Sequence, residues 1–262
     1  MKSNYIYKVV KLGGSVITIK DKPMSIRYDV IKYLVSELAD FLRERPEVRI
    51  LLIHGGGSFG HFVVRECLKN IGKIDVRCFS ETSHAMMLLN TQITKELLDV
   101  GLSPVSIPPH TIFRKDGDRL KYELNLVKDY LVEGFIPVLY GDVVLGNHSF
   151  EVLSGDTIAW VLAKELGINE IIFVTDVDGL FDKDPKKYSD AKLIESIHVN
   201  DLKGLTFSSS EYDVTGSMML KLMEGLKYGV NGIEVRIVNG LVKGNVYKVL
   251  GGSSTVGTVV RY

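Results

Sequence analysis

Two short glycine-rich stretches and three lysines hold the residues of this sequence best suited to chemistry. The first stretch is "KLGGS", Lys11 to Ser15, and the second is "HGGGSFGH", His54 to His61. Each follows an apolar run and precedes a helical pattern. Glycine at such a turn lets the backbone approach an anion closely, and free N–H groups at a helix start point toward it. Two such turns suggest two anionic groups, or two ends of one polyphosphate. Gly55, Gly57 and Gly60 also satisfy the G-x-G-x-x-G dinucleotide spacing. That fingerprint expects an acidic residue about 20 positions on, at the end of a second strand; Glu81 stands there, but within what reads as a helix start, "FSETSH". A P-loop fails as well, because His61 and Phe62 occupy the places of its Lys and Ser/Thr. The missing positive charge is offered by Lys11 beside the first turn, by Lys20, and by Lys221 within "DVTGSMMLKL". Phosphoryl transfer asks the protein mainly for positioning and for positive charge around the migrating group.

The elements that must position these residues alternate in type. "YIYKVVKL", "VRILLIH", "PVSIP", "FIPVLYGDVVLG", "EIIFVTDVDGLF" and "IEVRIVNG" read as strands. Between them lie helical periods: one opened by Pro23 and Ser25, one from the second glycine turn, one over about 80–99, then "LVKDYLVEG", "GDTIAWVLAKELG" and "SMMLKLMEGLKYG". Such alternation predicts an α/β fold, an open and mainly parallel sheet with helices on both faces. No Pro/Ser linker interrupts it, so 1–262 reads as one unit, with two lobes meeting near Gly167. In such sheets ligands sit at the carboxyl ends of the strands, where the glycine turns fall.

Lys and Arg together number 32, as do Asp and Glu, so no basic field argues for nucleic acid or an anionic membrane. No apolar run approaches the roughly 18 residues of a spanning helix. Cys67 and Cys78 match neither a zinc nor a C-x-x-C spacing and are expected to be reduced thiols packed as small hydrophobes. His84, His110, His148 and His198 are scattered without metal-ligand spacing. A soluble, cytoplasmic protein is the expectation.

Taken together, "KLGGS", the "GGG" turn, "SGD" at Ser154 to Asp156, "TDVDGLFDKDP" from Thr175 and "DVTG" before Lys221 resemble the amino acid kinase family over nearly the whole chain. Within it, the histidine-closed turn is similar to that of the isopentenyl phosphate kinases. The resemblance implies an αβα sandwich, usually a homodimer, that moves the γ-phosphate of ATP, carried with Mg²⁺, onto isopentenyl phosphate. It also implies an acceptor-binding lobe over 1–167 and a nucleotide-binding lobe over 168–262. Lys11, Gly13, Gly14, Ser15, Gly57, Asp176, Asp178, Gly179, Gly216 and Lys221 would meet the nucleotide. Gly56, Gly60, His61 and Gly155 would meet the acceptor phosphate. Lys11, Lys20, His61, Asp156 and Lys221 would form the catalytic set, with Asp156 orienting lysines. Ser217 departs from the second glycine common in "DVTGG". Met86, Met87 and Ile93 are candidates for an apolar wall around the acceptor's tail. Related members phosphorylate fosfomycin, carboxylates or uridine monophosphate.

Overall fold

The structure, a computed structural model, describes residues 4–117, 119–147, 149–185, 187–204, 214–228, 231–253 and 255–262. His148 and Asp213 of "DVTG" lie outside the described residues. The strands are β1 (Ile6–Leu12), β2 (Val48–His54), β3 (Pro104–Ser106), β4 (Phe113–Asp116), β5 (Arg119–Tyr122), β6 (Ile136–Tyr140), β7 (Asp142–Leu145), β8 (Phe150–Leu153), β9 (Glu170–Thr175), β10 (Ser196–His198), β11 (Glu234–Asn239) and β12 (Gly257–Arg261). The helices are α1 (Gly14–Ile17), α2 (Tyr28–Glu44), α3 (Gly57–Ile71), α4 (Val76–Asp99), α5 (Asn125–Glu133), α6 (Gly155–Leu166), α7 (Val214–Lys227) and α8 (Asn245–Leu250).

Eight strands form one sheet in the order β10-β12-β11-β9-β1-β2-β6-β3, all neighbours parallel except β11 and β12. Its central strands are apolar on both faces, as burial between two helical layers demands. Val9 of β1 packs into a core with α5, α6 and α7, while the next residue, Val10, packs on the opposite face with α2, α4 and α8. The expected αβα sandwich is therefore the observed one. The sheet runs unbroken past Gly167, since β1 pairs with β2 on one side and β9 on the other. Among the described residues no helix is long and apolar enough to cross a membrane.

Three expectations need correction. "FIPVLYGDVVLG", expected as a strand turning at its glycines, does turn at Gly141 but is two strands in different sheets. Gly141 N closes the β2–β6 ladder by donating to His54 O at 3.0 Å, and the chain then leaves for a second sheet, β5-β4-β7-β8. Apolar runs lie on both sides of the Gly141–Asp142 pair, so periodicity alone does not separate the two sheets. Helix α2 begins at Tyr28 rather than near Pro23, because Thr18 and Ile26 form an antiparallel bridge and Arg27 N donates to Ile17 O. Third, Cys67 and Cys78 are a disulfide, not two thiols. The short connection between α3 and α4 folds the chain back and brings their Cα atoms to 6.0 Å, which no sequence spacing announces.

Candidate active site

The strand order reverses at β1, where β2 lies on one side and β9 on the other, and the loops leaving these strands part to leave a crevice. A cleft of about 610 Å³ occupies that position. Registers Leu12↔His54 and Leu12↔Val174 bring the ends of three strands level. Hence Gly13 to Ser15, Gly55 to Gly57 and Thr175 to Val177 all reach the cleft.

The two glycine turns touch. A Cβ on Gly14 would lie 2.4 Å from Gly57 N, and Gly57 itself has φ +49, a left-handed conformation that a side chain resists. Thr18, fully buried, fastens the pair: its hydroxyl donates to Gly14 O at 2.7 Å and accepts from Ser58 N at 2.9 Å. Sequence reasoning missed Thr18, which carries no signal in its surroundings. Helices α3 and α6 both start at the cleft, with Gly57 and Gly155 as their first residues. The first amides of a helix have no intrahelical acceptor, so both ends present N–H groups and positive dipoles to the same space.

Charge is concentrated in the same cleft. Lys11 Nζ lies 2.7 Å from Asp156 Oδ1, and Lys221 Nζ lies 3.7 Å from Asp156 Oδ2. Lys11 is only 5 % exposed, so burial drives its ammonium group below the ordinary lysine value, although Asp156 opposes that shift. Burial alone would raise the Asp156 carboxyl, but the charges of Lys11 and Lys221 outweigh it and hold the group below the usual carboxylate value. The site is thus an anionic bridge between two cations, with net positive charge left for a ligand. His61, the fifth residue of α3, lines the same cleft. Burial, then the positive charges of Lys11, Lys221 and Arg65, hold its imidazole below the normal value against the opposing charge of Asp156, which favours the neutral ring.

The other candidates divide. Ser15, Gly56, Gly60, Gly155 and Asp176 line the cleft, with Ser15 Oγ donating to Asp176 Oδ1 at 2.9 Å. Lys20 lines it too, exposed at the rim. The amide of Gly60 is already engaged with Gly56 O at 3.2 Å. Its lack of a side chain also leaves room for Met86, whose Sδ lies 2.8 Å from where a Cβ would sit. Asp178 and Gly179 are not among the cleft walls: Asp178 accepts from Asn239 Nδ2 at 2.9 Å, and a Cβ on Gly179 would meet Thr258 Oγ1 at 2.4 Å. Gly216 and Ser217 fall in the first turn of α7. Met86 lines the cleft beside Phe62, Val143 and Val152. Ile93, by contrast, is buried in the core, and Met87 is exposed to solvent.

One buried network had no place in the sequence reading. His54 ends β2, stacks on Tyr140 with ring centroids 5.2 Å apart, and contacts Gly55 O through Nδ1 and Asn90 Oδ1 through Nε2, each at 3.2 Å. Burial pushes its pKa down to about 4. The neutral ring therefore braces the second glycine turn against α4. Among the described residues no group of three or more His, Cys, Asp or Glu side chains is placed to hold a metal ion.

A nucleotide-sized cleft at a switch point, with paired lysines bridged by a carboxylate, defines a phosphoryl-handling α/β protein. The sequence profile of the amino acid kinase family matches residues 7–239, and the chain belongs to that family. Within the family, the isopentenyl phosphate kinase of Methanothermobacter thermautotrophicus is 34% identical, the match covering 95% of this chain and 97% of that one. The isopentenyl phosphate kinase of Methanocaldococcus jannaschii is likewise 34% identical, over 92% and 94%. An isopentenyl phosphate kinase solved by X-ray crystallography superposes with a TM-score of 0.81 at 30% identity, covering 97% of this chain and 99% of that one.

Proposed function

We propose that this protein transfers the γ-phosphate of ATP to isopentenyl phosphate. The observation that carries the reading is one cleft in which Lys11 and Lys221 flank Asp156 while His61 and two helix N-termini face the same space. The similarity to isopentenyl phosphate kinases over nearly the full length supports the choice of acceptor. The volume, about 610 Å³, lies within the roughly 300–1,000 Å³ of small-ligand sites.

In this reading the nucleotide phosphates lie against the Gly13–Gly14 turn, Lys11 and Lys221. The acceptor phosphate lies against Gly56, Gly57, Gly155 and His61. A phosphate monoester has its second pKa near about 6, so the attacking oxygen needs no base. Asp156 accordingly holds two ammonium groups in place rather than removing a proton. Catalysis then rests on alignment and on charge around the migrating group. Neutral His61 donates a hydrogen bond to the acceptor phosphate, and the incoming dianion favours a second proton on its ring. Lys20, at the rim, would close on the phosphates. Asp176 and Ser15 would border the nucleotide, with Asp178, Gly179 and Gly216 behind them. Residues 1–167 would serve the acceptor and 168–262 the nucleotide, sharing Lys11 and Gly57 at the seam. Magnesium finds no protein-made cage among the described residues; it would arrive on the nucleotide oxygens, where it neutralises phosphate charge. A homodimer in the cytoplasm completes the reading.

The test is ADP release with isopentenyl phosphate, fosfomycin, N-acetylglutamate and uridine monophosphate as parallel acceptors, for wild type and His61→Ala. Turnover on isopentenyl phosphate that collapses in the variant is the expected result. Preference for another acceptor would retire this substrate while keeping the lysines.

A further inference from the structure

Helix α7 delivers Lys221, and the turn that carries it is held at four positions. Trp160 Nε1 on α6 donates to Lys221 O at 3.0 Å. The Tyr262 hydroxyl donates to Leu222 O. The Thr157 hydroxyl donates to the Glu224 carboxylate. Gly225 lets the elements close up, since a Cβ there would lie 2.6 Å from the Tyr262 ring and 2.9 Å from Trp160. Residues 221, 222, 224 and 225 present one helical face, and α6 with Tyr262 grips all of it.

Thr157 is the joint between this grip and the charges. It follows Asp156, whose carboxylate faces the Lys221 ammonium group. Its own amide donates to Ser154 Oγ at 2.9 Å, capping α6, and its hydroxyl lies 2.8 Å from the same Ser154 oxygen. A consistent chain runs from Ser154 O–H to Thr157 Oγ1 and from Thr157 O–H to Glu224; such chains polarise one another in a poorly solvated setting. The first turn of α6 therefore holds Lys221 twice, at the ammonium head through Asp156 and at the helix through Thr157. Burial pushes the Glu224 carboxyl above its ordinary value. Because Thr157 O–H points at the Glu224 carboxylate, what the joint uses in Glu224 is a hydrogen-bond acceptor.

We propose that Glu224 is a positioning residue: by accepting from Thr157 it locks the Lys221 turn of α7 onto the start of α6, and so sets where that ammonium group meets the phosphates of the nucleotide. The inference rests on the kinase reading above. It assigns Glu224 no contact with either substrate.

Steady-state kinetics and calorimetric binding of a non-hydrolysable ATP analogue to the full chain test it, with Glu224→Ala, Glu224→Gln and Thr157→Val. Glu224→Ala and Thr157→Val should each lower kcat/KM for ATP about tenfold and weaken the analogue in step, with the acceptor KM unchanged. Glu224→Gln, whose amide oxygen still accepts from Thr157, should keep most of both. Equal losses in Glu224→Gln and Glu224→Ala would show that charge matters and overturn the latch, as would a change confined to the acceptor KM. If Glu224→Ala does not fold, Thr157→Val, which removes the donor and leaves Glu224 in place, carries the same expectation. A wild type inert toward isopentenyl phosphate would sink the acceptor assignment alone, because analogue binding by the three variants still decides the latch.

Discussion

The two walls of the cleft are built in different ways. The wall that the proposed reading gives to phosphate consists of strand ends in one sheet, β1, β2 and β9, whose registers level the backbone to within a residue. Its charges are buried and mutually paired. The other wall comes from α3, α4 and the small sheet, and it meets the cleft through Phe62, Met86, Val143 and Val152. A disulfide between Cys67 and Cys78, not a hydrogen-bonded ladder, ties its two helices at their far ends. A phosphate dianion has one shape and one charge, so backbone geometry can meet it once and for all. An apolar tail asks only for volume, which side-chain packing supplies and tolerates changing.

The comparison breaks most sharply at Lys11. Lys11→Met should lower kcat by about 10²–10³, as loss of one preorganised charge-stabilising group does elsewhere. It should also destabilise the fold, because Asp156 is then left buried with Lys221 only, at 3.7 Å. Adding Asp156→Asn should recover thermal stability without recovering turnover. Recovery of both would mean that the pair serves the fold and not the reaction.

His54 is where the walls join, since it ends β2 and contacts Asn90 on α4. Its pKa of about 4 in the folded state lies below the unfolded value near 6.5. Between these two values the unfolded chain binds the extra proton, so stability rises with pH through that window and is lost as pH falls through it. The size is roughly 3 kcal/mol from this group. His54→Gln should flatten the stability profile measured by urea unfolding between pH 6.5 and pH 4, with little change in slope above it. An unchanged profile would place the acid sensitivity in another group.

The disulfide gives the next effect. A closed loop of this size is worth roughly 2–3 kcal/mol by chain entropy, so Cys67→Ser should lower the denaturant midpoint accordingly. Loosening α3 against α4 should then raise the acceptor KM and leave the KM for ATP alone. A shift in the ATP value instead would show that the walls are not independent.

Much of the phosphate wall was legible because its chemistry lies in contiguous words: "KLGGS", "HGGGSFGH" and "SGD" each set a turn and a helix start within a few residues. The second wall was not, for a physical reason. Cys67 meets Cys78 only once α3 and α4 pack. The same holds for the latch behind the charged wall, where Thr157 meets Glu224 across 67 residues of chain. Thr18 and Asn90 are ordinary polar residues whose importance comes from what folds against them. Even the tail candidates split on helical phase alone. Met86 and Met87 are adjacent in α4, yet one faces the cleft and the other solvent. Gly60 shows the converse: its motif was visible and points to a phosphate contact, while the fold adds a neighbour the sequence does not announce, Met86 Sδ 2.8 Å from where a Cβ would sit.

That distinction gives the smallest and sharpest expectation. Gly60→Ala keeps the peptide N–H but places a methyl 2.8 Å from Met86 Sδ, so the thioether must swing away, and the cleft is the open side. The acceptor KM should rise about fivefold, in keeping with the roughly 1 kcal/mol of modest overpacking, while the KM for ATP stays put. Met86→Ala alone should widen the wall and favour longer-tailed acceptors. In Gly60→Ala/Met86→Ala the clash has no second partner, so the two changes should fall short of additivity by about 1 kcal/mol in acceptor kcat/KM. Were Gly60 needed for close backbone approach to a phosphate, trimming Met86 would restore nothing and the two losses would simply add. The cycle therefore assigns Gly60 to one wall or the other.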